Sequence, residues 1–171
     1  QRHKDLKNGL SIPIRPTARN ILDLATKWRW LRAMSGTKRR NFGNVAGHVQ
    51  GISDLNDLAV WAAESFDPSL DWDKVKGIKA MWGGPLILKG ILDPTDARAA
   101  LNVGADAIIV SNHGGRQLDG AISSIRALPG ILDAVGDKIE VHLDSGIRSG
   151  QDVLKAMAMG AKGTYIGRAF N

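Results

Sequence analysis

Residues 71–171 alternate between short apolar runs and longer amphipathic segments, and this alternation restricts the fold more than any other feature of the sequence. The apolar runs have the length of strands, and the segments between them carry the spacing and end signals of helices. Strands that alternate with helices pair in parallel through right-handed crossovers. The predicted order is helix 71–82, strand 85–89, helix 94–103, strand 107–111, helix 123–135, strand 139–144, helix 151–159 and strand 163–167.

Four strand–helix units suit two architectures, half of a (β/α)8 barrel or a four-stranded open sheet. Polar residues at the carboxyl ends of the predicted strands favour the barrel, because barrels build their active sites at that rim. We therefore predict an α/β fold that forms half of a TIM (β/α)8 barrel. The strand-end residues are Lys89, Ser111, Asn112, His113, Asp144, Gly167 and Arg168.

Residues 1–70 have a different character, with few strand signals and one basic stretch. A helix is predicted over 17–34 with Thr17 as its cap. Residues 15–40 hold eight basic residues against one aspartate, a net charge of +7, although the whole chain carries only +6. Trp28 and Trp30 lie among these charges, which suits an anionic membrane surface. A solvated lid or a subunit contact is the alternative, and nucleic-acid binding fits less well.

Several classes of function are excluded or disfavoured by what the sequence lacks. There is no cysteine, so disulfides and thiol chemistry are excluded. The histidines do not have metal-ligand spacing, so no metal is predicted. There is no apolar run of membrane-spanning length, and the polar residues 1–5 are not expected to form a signal peptide.

Three strand-end side chains suit the oxidation of a small acid. Lys89 could stabilise negative charge that develops on a bound cofactor. His113 is followed by two glycines that let a substrate approach, and imidazole can act as a base near neutral pH. Arg116 could bind a carboxylate through two parallel hydrogen bonds. Each residue also has a structural interpretation when taken alone.

Two further strand ends suit a phosphate group. Glycines and an arginine occur in the stretch 144–150 and again in the pair Gly167 and Arg168. Exposed backbone N–H groups, helix N-termini and guanidinium groups all favour anions. Phosphate sites recur after the last two strands of such barrels. Two ordinary loops with surface arginines remain the alternative.

These residues together resemble the FMN-dependent L-2-hydroxy acid dehydrogenase/oxidase family. The most specific run is SNHGGRQLD at 111–119, supported in the same order by 88–90, 144–148 and 166–168. The runs 66–72 and 89–94 are most similar to bacterial membrane-associated, quinone-linked L-lactate dehydrogenases. Residues 2–8 resemble the loop after the family's fourth barrel strand. The resemblance implies that 1–70 is this loop with a basic, Trp-bearing insertion, and that 71–171 is the C-terminal half of an FMN-binding barrel, comprising about strands five to eight.

The resemblance also implies a role for each site residue. His113 would be the active-site base, and Arg116 and Arg2 would lie at the substrate, Arg2 on a mobile loop. Lys89 would neighbour N1 and O2 of the flavin, and Ser111 would contact its ring. The ribityl chain and phosphate would be held by Asp144, Gly146, Arg148, Gly167 and Arg168.

The implied reaction is FMN-dependent oxidation of an L-2-hydroxy acid, with L-lactate expected, to the 2-oxo acid with transfer of electrons to a quinone. His113 would remove either the Cα proton or the hydroxyl proton with hydride transfer from Cα. Alternatives are an oxygen-using oxidase of the glycolate or lactate type, a mandelate dehydrogenase, a phosphate-binding isomerase, or a membrane module with a half-barrel scaffold. A cytoplasmic homotetramer, peripheral on the inner face of the plasma membrane, is expected. We also expect the chain to be an inactive fragment that lacks the N-terminal half of the barrel.

Overall fold

The structure, a computed structural model, describes residues 7–9, 17–37 and 55–170. The protein divides into two compact units between residues 68 and 69. The described part of the first unit contains helices α1 (Ala18–Ala25), α2 (Trp28–Gly36) and α3 (Leu55–Glu64) and no strand. Within the described ranges, no helix is both long enough and apolar enough to cross a bilayer.

The prediction of one helix over 17–34 was wrong, because the helix breaks after Ala25. The Thr26 hydroxyl donates to the Asp23 carbonyl oxygen at 2.6 Å, which draws the chain out of the helical path. Lys27 then has φ −98° and ψ 45°, outside the α-helical region. The predicted cap is confirmed, since the Thr17 side chain accepts a hydrogen bond from the Asn20 amide at 3.2 Å.

The second unit has the predicted alternation of strands and helices. Asp71, Asp93 and Ser149 cap three of its helices by accepting hydrogen bonds from amides in the first turn. The elements are α4 (Trp72–Trp82), β1 (Ile87–Ile91), α5 (Pro94–Asn102), β2 (Ala107–Val110), α6 (Ser124–Val135), β3 (Glu140–Leu143), α7 (Gly150–Ala158) and β4 (Gly163–Thr164).

The four strands form one parallel sheet in the order β1-β2-β3-β4. A purely sequential parallel order is the order of neighbouring strands in a (β/α)8 barrel. Strand β2 is buried along its whole length, as parallel strands covered on both faces are. Side chains of β2 and β3 pack against Leu128 and Ile131 of α6 to form the core of this unit.

Two strand boundaries differ from the prediction in ways that affect the strand ends. Lys89 is the middle residue of β1, not its last. The pairing of β1 with β2 becomes irregular between Lys89 and Ile91, where Gly90 adopts φ +100°. Strand β4 contains two residues instead of the predicted five. The irregularity therefore ends the regular ladder at Lys89, where the functional prediction had placed the strand end.

Candidate active site

A cavity of about 520 Å³ lies at the carboxyl ends of the four strands. Eight of the ten predicted site residues line this cavity together. Ser111 is not at the cavity wall, and Arg2 lies outside the described residues. The eight are Lys89, His113, Arg116, Asp144, Gly146, Arg148, Gly167 and Arg168.

A charged network supports the floor of the cavity. The Lys89 ammonium lies 2.7 Å from Asp144 Oδ2 and donates a hydrogen bond to Ser111 Oγ at 3.2 Å. Ser111 Oγ in turn donates to Asp144 Oδ2 at 2.6 Å. Ser111 is 2% exposed, and its hydroxyl ties three strands together beneath the charged pair. This arrangement fixes the Lys89 side chain, which would otherwise have many rotamers.

The network also holds Asp144 in its ionised form. Partial burial acts to raise the pKa of Asp144, but the hydrogen bonds from Lys89 and Ser111 outweigh it and leave the pKa below its usual value. A carboxyl group whose pKa is lower in the folded state stabilises the fold at pH values above its unfolded pKa. That contribution is lost as the pH falls through the folded pKa.

We therefore predict that Asp144→Asn weakens the acid dependence of stability. In the parent protein the free energy of unfolding falls below about pH 5, toward and through the lowered pKa of Asp144. In the variant, that fall is smaller, because the titrating group is gone. Urea unfolding at a series of pH values measures this, with Asp137→Asn as the control outside the network. Identical pH profiles for the parent and Asp144→Asn would contradict the network.

His113 stands on a loop with left-handed backbone. Its φ is +57°, and Gly114 and Gly115 follow at +66° and +69°. Ser145, on the neighbouring loop, has φ +79°. Left-handed conformations are costly for residues other than glycine and are concentrated at functional sites. The His113 amide donates to Ser111 Oγ at 3.1 Å within its own loop, and the Gly114 amide joins the two loops by donating to Ser145 Oγ at 3.0 Å.

Arg168 connects the fourth strand end to the His113 loop. Its Nη2 donates to the Gly114 carbonyl oxygen at 3.1 Å. A Cβ atom at Gly114 would lie 2.3 Å from that same Nη2, so a side chain at 114 and the present position of Arg168 exclude each other. The glycine at 114 thus lets the guanidinium take this position without a shift of the end of the Arg168 side chain, and it also suits the left-handed backbone angle.

The arginine side of the cavity suits an anion. Arg148 and Arg168 line the wall beside Gly146 and Gly167. A Cβ atom at either glycine would meet nothing within 4 Å, so there is open space directly above the backbone. Guanidinium groups next to accessible backbone are a typical phosphate or carboxylate site.

Two polar residues of the site were not identified from the sequence. Ser145 and Tyr165 both line the cavity, and Ser145 bonds to the His113 loop. Asn112, one of the predicted strand-end residues, does not line the cavity, and its buried Oδ1 has no partner within the described residues. The sequence did contain a signal for Tyr165. Alternate residues of a strand face the same side, so in the predicted strand 163–167 Tyr165 shares a face with the predicted site residue Gly167. No local signal marks Ser145, because a left-handed serine is set by contacts distant in sequence.

Comparison with known proteins gives consistent results. Residues 1–171 match the family model described as FMN-dependent dehydrogenase. L-lactate dehydrogenase from Caulobacter vibrioides is 49% identical over 171 residues, 99% of this chain and 44% of the relative. L-lactate dehydrogenase from Azorhizobium caulinodans is 48% identical over 170 residues, with the same two coverages. The chain thus spans less than half the length of these relatives.

Solved structures give the same comparison at the level of the fold. The crystal structure of the monotopic membrane protein (S)-mandelate dehydrogenase superposes with a TM-score of 0.88 at 34% identity, over 98% of this chain and 44% of that one. Mandelate oxidase superposes with a TM-score of 0.62 at 47% identity, over 68% of this chain and 34% of that one.

Proposed function

The chain belongs to the FMN-dependent dehydrogenase family, and on this premise we propose that it forms the second half of a (β/α)8 barrel that oxidises an L-2-hydroxy acid. The sequential parallel sheet supports this proposal, because neighbouring barrel strands have that order. L-Lactate is the first substrate to test, since the curated relatives are named L-lactate dehydrogenases. Mandelate is the second, because the structural neighbours act on it by name.

The cavity has the donor set that FMN requires. Arg148, Arg168 and the open backbone at Gly146 and Gly167 suit the phosphate. Lys89 would face the flavin ring, held in place by Asp144. Ser111 would support Lys89 from below, and its direct contact with the ring remains a prediction. FMN, when bound, supplies a two-electron acceptor that no amino-acid side chain offers.

His113 and Arg116 have different proposed roles at the substrate. Arg116 would bind the substrate carboxylate and orient the hydroxyl-bearing carbon. His113 would accept the proton that the substrate must lose as it becomes a 2-oxo acid. The left-handed loop projects both residues toward the cavity from one short stretch. Arg2 would add a second cation near the substrate.

The observation that carries the proposal is the convergence of His113, Arg116 and Lys89 on one cavity that also contains two arginines. A base, a carboxylate-binding group and a cation for a reduced cofactor are the three functions that this reaction needs. An isomerase that binds a phosphorylated substrate would use the arginines but would not need this set.

The test is anaerobic reduction of the flavin in the full-length protein that carries this chain. We expect a flavin absorbance spectrum that is bleached by L-lactate and unchanged by D-lactate. Glycolate and (S)-mandelate added separately define the side-chain preference. Absence of flavin, or no bleaching by any 2-hydroxy acid, would refute the proposal.

We propose a quinone as the electron acceptor, with oxygen as the alternative. The support is the similarity of 66–72 and 89–94 to quinone-linked members of the family. After reduction by L-lactate, a soluble quinone should restore the flavin absorbance much faster than air-saturated buffer does. Equal or faster recovery in air would assign the protein to the oxidases.

A membrane surface is the proposed partner of the basic segment, of which residues 17–37 are described. Trp28 and Trp30 are 60% and 54% exposed, and the Arg29 guanidinium lies 5.4 Å from the centre of the Trp28 ring. Exposed indole rings beside arginines suit the interface of an anionic bilayer. The monotopic structural neighbour adds support for a peripheral membrane location, and we propose the inner face of the plasma membrane as that location.

We predict that Arg29→Gln with Arg32→Gln weakens binding to vesicles that contain phosphatidylglycerol. Each basic residue near such a surface contributes about 1 kcal/mol, so the pair should cost about thirtyfold in partition coefficient. Co-sedimentation with vesicles measures this. The matched control is Lys138→Gln with Lys162→Gln, which removes the same charge from the second unit. Equal losses for both pairs would indicate a general charge effect and contradict a specific surface.

We propose that 1–70 form the membrane-facing loop and that 71–171 form half of the FMN barrel, a division close to that between the two units at residues 68 and 69. Strands β1 and β4 are the edges of the four-stranded sheet, and unpaired edges favour association over a stable monomer. The isolated 171 residues should therefore neither bind FMN tightly nor oxidise substrate. Sedimentation of the full-length protein tests the proposed homotetramer.

A further inference from the structure

Three polar side chains, one of which lines the cavity, are linked by hydrogen bonds that the proposed reaction does not use. His142 Nε2 lies 2.9 Å from Glu140 Oε2, and His142 Nδ1 lies 3.3 Å from the Tyr165 hydroxyl. The imidazole and phenol rings are stacked, with centroids 5.8 Å apart and planes inclined at 28°. These hydrogen bonds thus link two residues of β3 to the residue after β4.

The residues beside His142 leave room for its hydrogen bonds to Glu140 and Tyr165. Gly163 is the register partner of His142, and a Cβ atom there would lie 3.1 Å from His142 Nδ1. A side chain at 163 would press on the imidazole just where Tyr165 reaches it. On the other side His142 pairs with Ile109, which offers no hydrogen bond. The polar contacts of His142 are therefore directed to Glu140 and Tyr165.

With Glu140 ionised and His142 neutral, the chemistry of the three groups sets the direction of the hydrogen bonds. An ionised glutamate only accepts, so Nε2 of His142 must carry the proton that bonds to Glu140. In a neutral imidazole the other nitrogen, Nδ1, is then an acceptor. Tyr165 must accordingly donate its hydroxyl proton to Nδ1. The phenol oxygen keeps only its acceptor lone pairs for any ligand.

Tyr165 is 40% exposed and lines the same cavity as Lys89 and Arg168. We propose that Tyr165 is a further ligand-binding residue, and that its oxygen accepts a hydrogen bond from a hydroxyl group of the polyol chain of a phosphorylated cofactor. The arginines select the anionic end of that ligand, and Tyr165 selects a hydroxyl and repels a negatively charged oxygen. This inference rests on the proposed function, in which the ligand is FMN with its ribityl chain.

The test compares FMN with its 2′-, 3′- and 4′-deoxyribityl analogues in the full-length protein. Binding is followed by quenching of flavin fluorescence, which requires no turnover. Tyr165→Phe should weaken FMN binding about tenfold, the effect of one lost hydrogen bond. For the analogue that lacks the contacted hydroxyl, the same substitution should cost less than about twofold, since there is no hydrogen bond left to lose.

Two further variants separate binding from structure. Thr164→Val removes a hydroxyl from the residue just before Tyr165 and should change the affinity for FMN by less than about twofold. His142→Phe keeps an aromatic ring but removes the acceptor of the phenol proton. It should therefore reduce the discrimination between FMN and the responsive analogue.

The outcomes distinguish this inference from the proposed function. If the parent protein does not bind FMN, both are refuted. If the parent binds FMN and Tyr165→Phe binds it equally well, only the role of Tyr165 is refuted. An equal loss for FMN and every deoxy analogue would likewise overturn the hydroxyl contact and leave Tyr165 with a structural role.

Discussion

Replacement of His113 by Asn should lower kcat for L-lactate oxidation by 10²- to 10⁴-fold while FMN remains bound. A positioned general base contributes about that factor, and an amide cannot accept a proton near neutral pH. The choice of Asn follows from the backbone, because His113 has φ +57° and Asn tolerates left-handed angles better than most residues. The variant thus removes the chemistry and keeps the loop.

Two measurements check that the loss of activity does not come from loss of FMN or from weaker binding at the substrate site. The flavin content and the Kd for FMN should stay within about threefold of the parent values, since His113 is not assigned to the phosphate end. The affinity for a 2-oxo acid product should also persist, because Arg116 is assigned to the carboxylate. A kcat within tenfold of the parent would remove His113 from the role of base, whatever the flavin content.

The order of strands and helices in 71–171 was predictable, because apolar runs and capping residues are local signals. The helix predicted over 71–82 is one example, since it is observed at Trp72–Trp82 with Asp71 as its capping residue. The break at Thr26 was not predictable. The sequence does not show whether the Thr26 hydroxyl bonds back to Asp23 and ends the helix or leaves the helix to continue. The irregularity at Gly90 depends on pairing with β2, which no local pattern contains.

The sequence allowed us to predict which residues meet at the cavity, but not which of their groups bond to each other. Residues at successive parallel strand ends must meet at one edge, so the convergence of Lys89, His113 and Arg168 follows from the topology alone. Which groups bond to each other depends on distances of a few tenths of an ångström. The buried Ser111 hydroxyl beneath Lys89 and the chain from Glu140 to Tyr165 are contacts of that kind. Their roles at the cofactor stay predictions until they are measured.

Replacement of Gly114 by Ala should weaken FMN binding by about 100-fold, much more than the same change at Gly115. Both glycines have left-handed φ, +66° and +69°, so both substitutions carry a similar backbone cost of about 1 kcal/mol. Only at 114 does the new Cβ meet the Arg168 guanidinium, at 2.3 Å; at 115 nothing lies within 4 Å. The pair therefore isolates the displacement of Arg168 from backbone strain.

Displacement of Arg168 should cost the charge-assisted hydrogen bonds that hold the phosphate, about 2–3 kcal/mol or roughly 30- to 150-fold in Kd. Gly115→Ala should change the Kd by no more than about fivefold, the part of the effect that comes from the loop. Arg168→Met provides the check: combined with Gly114→Ala it should add little further loss, since both changes remove the same interaction. If the two effects are instead additive, or if Gly115→Ala is as damaging as Gly114→Ala, the loop acts independently of Arg168. The glycine at 114 would then serve the backbone angle of the His113 loop alone.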